Sequence, residues 1–213
     1  MNPRIVGGIA LITLSCGLGV IVHNGGLVPV DVGLLHAMSV AENGPQWLSD
    51  AARFVSTFGD VGVRGIGIAI VFAALLWRQR WRSGAIYLVT VLTSIFGHTL
   101  AKVLWARPRP HLVPWLDDPH DMSFPSGHAA GSMVVLLLAA MLFDRLRLVP
   151  LAIALSLMIG LTRPMLGVHW PTDVVAGWLW GAGFALIGAG VAQSMGLLDA
   201  RYRNRKDFSA GPS

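Results

Sequence analysis

Apolar and polar residues alternate along this chain in long blocks. Apolar runs occupy 5–22, 61–77, 85–105, 126–143, 148–161 and 171–192. A helix needs roughly 20 mostly apolar residues to cross a bilayer, so each run reads as a spanning helix or most of one. The stretch 23–60 breaks the rhythm at Asn24-Gly25-Gly26, Pro29 and Asn43-Gly44-Pro45. Within it, 30–38 and 47–58 place apolar residues at helical spacing, and the second carries Asp50, Arg53, Ser56 and Thr57 on its polar face. That pattern predicts short helices lying in the membrane interface. Residues 106–125 form a polar loop. The fold expected is an all-α integral membrane protein: six transmembrane helices, with short interfacial helices between the first and second spans. One domain is expected over 1–200, followed at 201–213 by a polar cytoplasmic tail expected to be disordered beyond its first turn.

Composition agrees with this class. Of 213 residues, 54% are hydrophobic and 13% charged, and the mean hydropathy is +0.63, far from a soluble average. A net charge of +5 raises the question of nucleic acid. The basic residues fall in short clusters between apolar runs, where they set topology, and no basic face of a folded domain is present, so no nucleic-acid partner is expected. A single cysteine, Cys16, cannot form an internal disulfide. The first run could be a signal peptide, since Arg4 precedes it and Leu14-Ser15-Cys16 resembles a lipoprotein cleavage site. However, Thr13 stands where a large aliphatic is wanted, apolar sequence continues to Val22, and no small-x-small site follows. The first span is therefore expected to remain uncleaved.

Orientation follows from Lys and Arg. With the N-terminus inside, the inner segments hold Arg4, Arg78, Arg80, Arg82, Arg145, Arg147, Arg201, Arg203, Arg205 and Lys206. The outer side holds Arg53, Arg64, Lys102, Arg107, Arg109 and Arg163. The bias predicts both termini on the cytoplasmic side. Trp77 and Trp81 then mark the inner edge, and Trp105, Trp115 and Trp170 the outer one.

Polar residues at the margins of the spans carry the candidate chemistry, because charges in such places are costly and signal function. Lys102 stands at the end of the third run with Arg109-Pro110 just beyond it, Pro125-Ser126-Gly127-His128 opens the fourth, and Arg163 and His169 lie between the fifth and the sixth, which Asp173 helps to open. Since spans alternate in direction, all three groups fall on one outer face. Ser126 reads as an N-cap, with Gly127 where backbone must approach a ligand closely. His169-Trp170-Pro171 reads as a second helix start, proline being favoured at the first helical position. Two helix N-termini with Lys102, Arg109 and Arg163 around them suit a phosphate dianion without a metal. Asp173, four residues beyond His169, can hold that imidazole in one tautomer and leave the other nitrogen free as a nucleophile, while His128 protonates the leaving oxygen.

Each residue alone has a plainer explanation. His98, sharing a helix face with Lys102, suits helix packing. Lys102 and Arg163 could be end charges reaching for the interface, and Asp173 a helix-dipole partner. Arg107 is expected at the surface. Asp117, Asp118, His120 and Asp121 read as a solvated loop placed where a lid or headgroup contact could be. A zinc site from His128, His169 and Asp173 is disfavoured by the three cations beside it.

Together, Lys102-x6-Arg109-Pro110, Pro125-Ser126-Gly127-His128 and Thr162-Arg163-x5-His169-x3-Asp173 resemble the three signature motifs of the type 2 phosphatidic-acid phosphatase superfamily. The resemblance covers roughly residues 60 to 192, with Thr162 where that family usually has serine. It implies an integral membrane lipid phosphatase without metal or cofactor. His169 would be the nucleophile, His128 the general acid and Asp173 its partner, while Lys102, Arg109, Ser126, Gly127 and Arg163 would hold phosphate. The retained hydroxyl of Thr162 is expected to keep its phosphate contact. Substrates implied are undecaprenyl diphosphate, phosphatidylglycerophosphate, phosphatidate or a lipid A phosphate, presented at the outer, periplasmic face of a bacterial inner membrane. A lipid-to-lipid phosphotransferase would use the same site. A vanadium haloperoxidase, which shares it, is argued against by the six apolar runs, and a transporter or scaffold by the filled catalytic positions and by the lack of paired broken helices. Gly177, Gly181, Gly183 and Gly188 permit close helix packing within or between chains.

Overall fold

A computed structural model describes residues 1–143 and 145–198. The expected tail at 201–213, with its four basic residues, lies outside the described residues. Nine α-helices make up the described fold, with no strand among the described residues: α1 (Pro3–His23), α2 (Val28–Met38), α3 (Val40–Asn43), α4 (Gln46–Thr57), α5 (Val61–Trp77), α6 (Trp81–Trp105), α7 (Gly127–Leu142), α8 (Val149–Met165, preceded by a 3-10 turn, Leu146–Leu148) and α9 (Pro171–Ser194).

Local chemistry sets the helix ends. Asn2 caps α1 by accepting from Arg4 N at 2.9 Å, and Pro3 needs no partner in the first turn. The end of α8 matters most. The expected helix stops at 161, but α8 runs through Arg163 to Met165 with Pro164 in its last turn, where the missing N–H forfeits one bond just before the helix ends. Gly167 follows at φ +79°. Its N–H donates to Pro164 O at 3.0 Å, and Val168 N to Arg163 O at 3.1 Å. This paired closure requires a left-handed residue, which glycine adopts freely, and it turns the chain so that His169 follows at once.

Four segments are long and apolar enough to cross a membrane: α1 (mean hydropathy 2.4), α6 (1.5), Leu146–Met165 (1.7) and α9 (1.7). The pair α4 and α5, bent by 45° between them, would make a fifth if it acts as one span. By itself α5 has 17 residues and α7 only 16. The latter is the centre of the bundle, with Val134, Leu138 and Leu142 wholly buried. Against it lies α9, so closely that a Cβ on Gly177 would meet Ser126 O at 2.6 Å. Gly183 instead meets α1, and Gly188 meets Thr90 of α6. All of these close approaches are within one chain. Outward faces carry exposed Ile66, Ile70, Val89, Phe96 and Val103, as lipid-facing helices must. The whole is an all-helical integral membrane protein.

Candidate active site

The N-terminal ends of α5, α7 and α9 meet the C-terminal ends of α6 and α8 around a cavity of about 280 Å3. Its wall includes Asp60, Arg64, His98, Lys102, Arg109, Gly127, His128, Arg163 and His169, with Asp117, Asp118, His120 and Asp121 from the loop after α6. Six of the eight residues singled out from the sequence therefore border one space. The other two, Ser126 and Asp173, stand behind it with no exposed surface.

Packing holds each cation in place. Arg109 donates from Nη1 to Val168 O at 2.6 Å and from Nε to Asp121 O at 2.8 Å, so it braces the loop that carries His169. Arg163 Nη1 reaches Ser56 Oγ of α4 at 2.5 Å. Lys102 Nζ donates to Met122 O. Two buried polar atoms here have no partner among the described residues, Ser126 Oγ and Arg163 Nε. Buried polar atoms are rarely left so outside functional sites.

His169 lies 3.4 Å from Asp173 Oδ2 through Nδ1, as the four-residue spacing suggested. Ser123 adds a contact that the motifs do not announce. Its hydroxyl donates to Asp173 Oδ2 and lies 3.3 Å from His169 Nδ1. Trp170 N donates to the same carboxylate oxygen at 3.0 Å, and Ser126 N to Asp173 O at 3.0 Å, which ties the start of α7 to the start of α9. Complete burial, then the charges of Arg109, Lys102 and Arg163, push the pKa of His169 well below the ordinary histidine value. The imidazole is consequently neutral and keeps a free lone pair. His128 Nε2 lies 3.0 Å from Asp60 Oδ1.

Several expectations are corrected. Arg107 is not on the surface: it is 9% exposed, with Nη1 2.5 Å from Asp173 Oδ1 and Nη2 2.6 Å from Asp31 Oδ2. Two buried carboxylates draw it inward. Nor is the start of α9 open to an anionic ligand, because Asp31 Oδ1 accepts from Thr172 N at 3.0 Å. The loop acids are only partly solvated. Asp121 pairs with Arg109 at 2.5 Å and with Lys102 at 3.1 Å, and Asp117 with Arg163 at 2.6 Å. Partial burial alone would raise both carboxyls, but the adjoining cations prevail and hold them below the usual carboxylate range. Asp118 and His120 are exposed, 3.9 Å apart. The hydroxyl of Thr162 donates to Ile159 O at 2.7 Å within its own helix and does not border the cavity. His98 does border it, with Nε2 3.2 Å from Pro125 O. Arg64, read only as an outer-side charge, donates to Gly59 O at 3.0 Å and to Gly127 O at 3.1 Å. Among the described residues, no three His, Cys, Asp or Glu side chains converge as a metal-binding set.

The sequence profile of the PAP2 superfamily matches residues 83–193, just over half of the chain. The chain is 34% identical over 161 residues to the decaprenylphosphoryl-5-phosphoribose phosphatase of Mycobacterium tuberculosis, covering 73% of this chain and 83% of that one. It is 32% identical over 127 residues to the lipid A 1-phosphatase of Rhizobium johnstonii, over 55% of this chain and 51% of that protein, and so spans about half of that relative's length. In fold it is similar to a transmembrane PAP2 type phosphatidylglycerolphosphate phosphatase from Bacillus subtilis, with a TM-score of 0.80 at 23% identity, over 88% of this chain and 96% of the other. Profile match and sequence relatives agree with the three motifs: the chain belongs to the PAP2 superfamily.

Proposed function

We propose that this protein is a metal-independent lipid phosphatase, which removes the terminal phosphate of a membrane lipid through a phosphohistidine on His169. One observation carries the reading: His169, backed by Asp173, borders the same cavity as Lys102, Arg109, Arg163 and His128. Phosphoryl transfer asks the protein mainly for positioning and for charge around the equatorial oxygens. Lys102, Arg109 and Arg163 supply that charge, Arg64 adds to it, and Gly127 lets backbone approach. The unpartnered Ser126 Oγ and Arg163 Nε gain acceptors in the phosphate oxygens.

In the first step Nε2 of His169 attacks phosphorus. The bond from phosphorus to the lipid oxygen breaks, and His128 protonates that oxygen as it leaves. Asp173 holds the Nδ1 proton and balances the charge on the ring. In the second step His128, now a base, takes a proton from water. The resulting oxygen attacks phosphorus, the P–N bond breaks, and its electron pair returns to Nε2. The bundle spans the membrane six times, through α1, α5, α6, α7, α8 and α9, with α2, α3 and α4 at the interface and both termini inside. The cavity then opens at the outer face, where a phosphorylated lipid headgroup meets it. Candidate substrates are phosphorylated glycolipid headgroups, named for the two sequence relatives, together with undecaprenyl diphosphate, phosphatidylglycerophosphate and phosphatidate.

The test is phosphate release by purified, detergent-solubilised protein over a panel of these lipids in the presence of chelator. Expected are release from at least one lipid, undiminished by chelator, and none from His169→Ala despite an intact fold. Activity lost in chelator and restored by a divalent metal would overturn the mechanism. Phosphate that appears on a second lipid instead of in solution would make the protein a phosphotransferase.

A further inference from the structure

Behind the cavity, Asp31 and Arg107 form a buried ion-pair network with Asp173. Neither Arg107, Asp31 nor Thr172 borders the cavity, so none of them can touch a bound phosphate. Arg107 divides its guanidinium between two acids. Nη1 donates to Asp173 Oδ1 at 2.5 Å and to Thr172 Oγ1 at 2.8 Å, while Nη2 donates to Asp31 Oδ2 at 2.6 Å. Thr172 Oγ1 in turn donates to Asp31 Oδ2 at 2.6 Å, and Thr172 N donates to Asp31 Oδ1 at 3.0 Å. The ring of Trp170, next to His169, lies 5.2 Å from the guanidinium carbon. Asp31 and Asp173 have no exposed surface.

From this geometry we infer that Arg107 is a positioning residue for the Asp173–His169 pair, and that Asp31, on α2, fixes Arg107 in that role. The inference rests on the phosphohistidine reading. Buried charges are tolerated when paired and fully hydrogen-bonded, and removing one partner leaves the others exposed to the full desolvation penalty. Arg107 is the countercharge shared by both acids. Asp173 Oδ1 is fixed by Arg107, leaving Oδ2 to accept from Ser123, Trp170 N and His169. A lysine, having no planar fork, cannot engage Asp173 and Asp31 with the same geometry. The Asp31 carboxylate also accepts from Thr172 N in the first turn of α9, so it helps set the start of the helix that carries Asp173.

The experiment compares wild type with Arg107→Gln, Arg107→Lys, Asp31→Asn and the double variant Asp31→Asn with Arg107→Gln, beside His169→Ala. Each is assayed for kcat and KM on the preferred lipid and for competitive inhibition by inorganic phosphate. Arg107→Gln is expected to lower kcat by about tenfold to a hundredfold, the range seen for partners that orient metal-ligating side chains. KM and the phosphate inhibition constant should stay within about twofold of wild type, because the cavity cations are untouched. Arg107→Lys should recover part of kcat. The double variant removes both charges and leaves no unpaired one at either position. It should bind phosphate normally and lose no more rate than Arg107→Gln alone, since the two residues act through one network. A double variant that binds phosphate and turns over at the wild-type rate overturns the proposal. A loss of phosphate affinity equal to the loss of rate would make Arg107 a binding residue and overturn it as well. If His169→Ala stays active, the phosphohistidine reading itself has failed.

Discussion

At the level of single residues, the site is a balance between buried ionisable groups. His169 is neutral because burial and three cations oppose its protonation. An unfolded histidine takes up a proton near pH 6.5, so below that value the unfolded chain binds a proton that the folded one refuses. Stability must then fall as pH drops through about 6.5. Asp117 and Asp121 act in the same direction, at lower pH. Their folded values are depressed, so their contribution is present above the ordinary carboxylate value of about 3.9 and is lost as pH falls from there through the folded values. Thermal inactivation followed from about pH 8 to pH 4 should show a first loss near 6.5, shallower in His169→Gln, and a second below about 4, reduced in Asp117→Asn with Asp121→Asn. The six motif residues that border the cavity were readable from the sequence because each sits at a span margin, where polar residues are conspicuous. Asp31 and Ser123 were not. Ser123 reaches Asp173 across 50 positions and Asp31 reaches its neighbour Thr172 across 141, and each looks like an ordinary interfacial polar residue until the helices are packed. Arg107 was misjudged for the same reason, since its two acids come from α2 and α9.

Among the elements, the loop between α6 and α7 does more than connect two helices. Its aspartates sit on the cations proposed to hold phosphate: Asp121 on Lys102 and Arg109, and Asp117 on Arg163. A phosphate dianion competes with these carboxylates for the same donors. Asp121→Asn and Asp117→Asn are each expected to tighten competitive inhibition by inorganic phosphate, by roughly two- to fivefold, since a half-exposed ion pair is worth up to about 1 kcal/mol. Unchanged or weaker inhibition would show that the loop does not compete. Helix existence was legible because long apolar runs have few alternatives, and their observed limits differ by a few residues. The largest differences, four residues each, are the early start of α6 at Trp81 and the extension of α8 to Met165, which depends on how Gly167 closes its last turn. What α4 does was hidden as well. Its periodicity predicted an interfacial helix, but only packing reveals that Ser56 supports Arg163.

For the whole molecule, six apolar runs were legible, whereas their number as spans was not, because α7 is short and α5 meets α4 at a bend. The proposed topology has a direct test. In a Cys16→Ser background, Asp118→Cys should react with a membrane-impermeant maleimide from outside intact cells, and Arg82→Cys only after permeabilisation. The reverse pattern would invert the protein. The pairing of α1 with α9 has a consequence for how the protein is made. Gly8 and Gly183 bring the two backbones together, and Ser15 Oγ donates to Ala176 O at 2.9 Å, one turn beyond Asp173. Domains emerge from the ribosome N-terminus first, so α1 enters the bilayer with its small-residue face uncovered until α9 has been synthesised. Asp173 and the first helix thus dock in the same late event, and a chain interrupted before α9 leaves both an unshielded seam in the lipid and a cavity without its carboxylate.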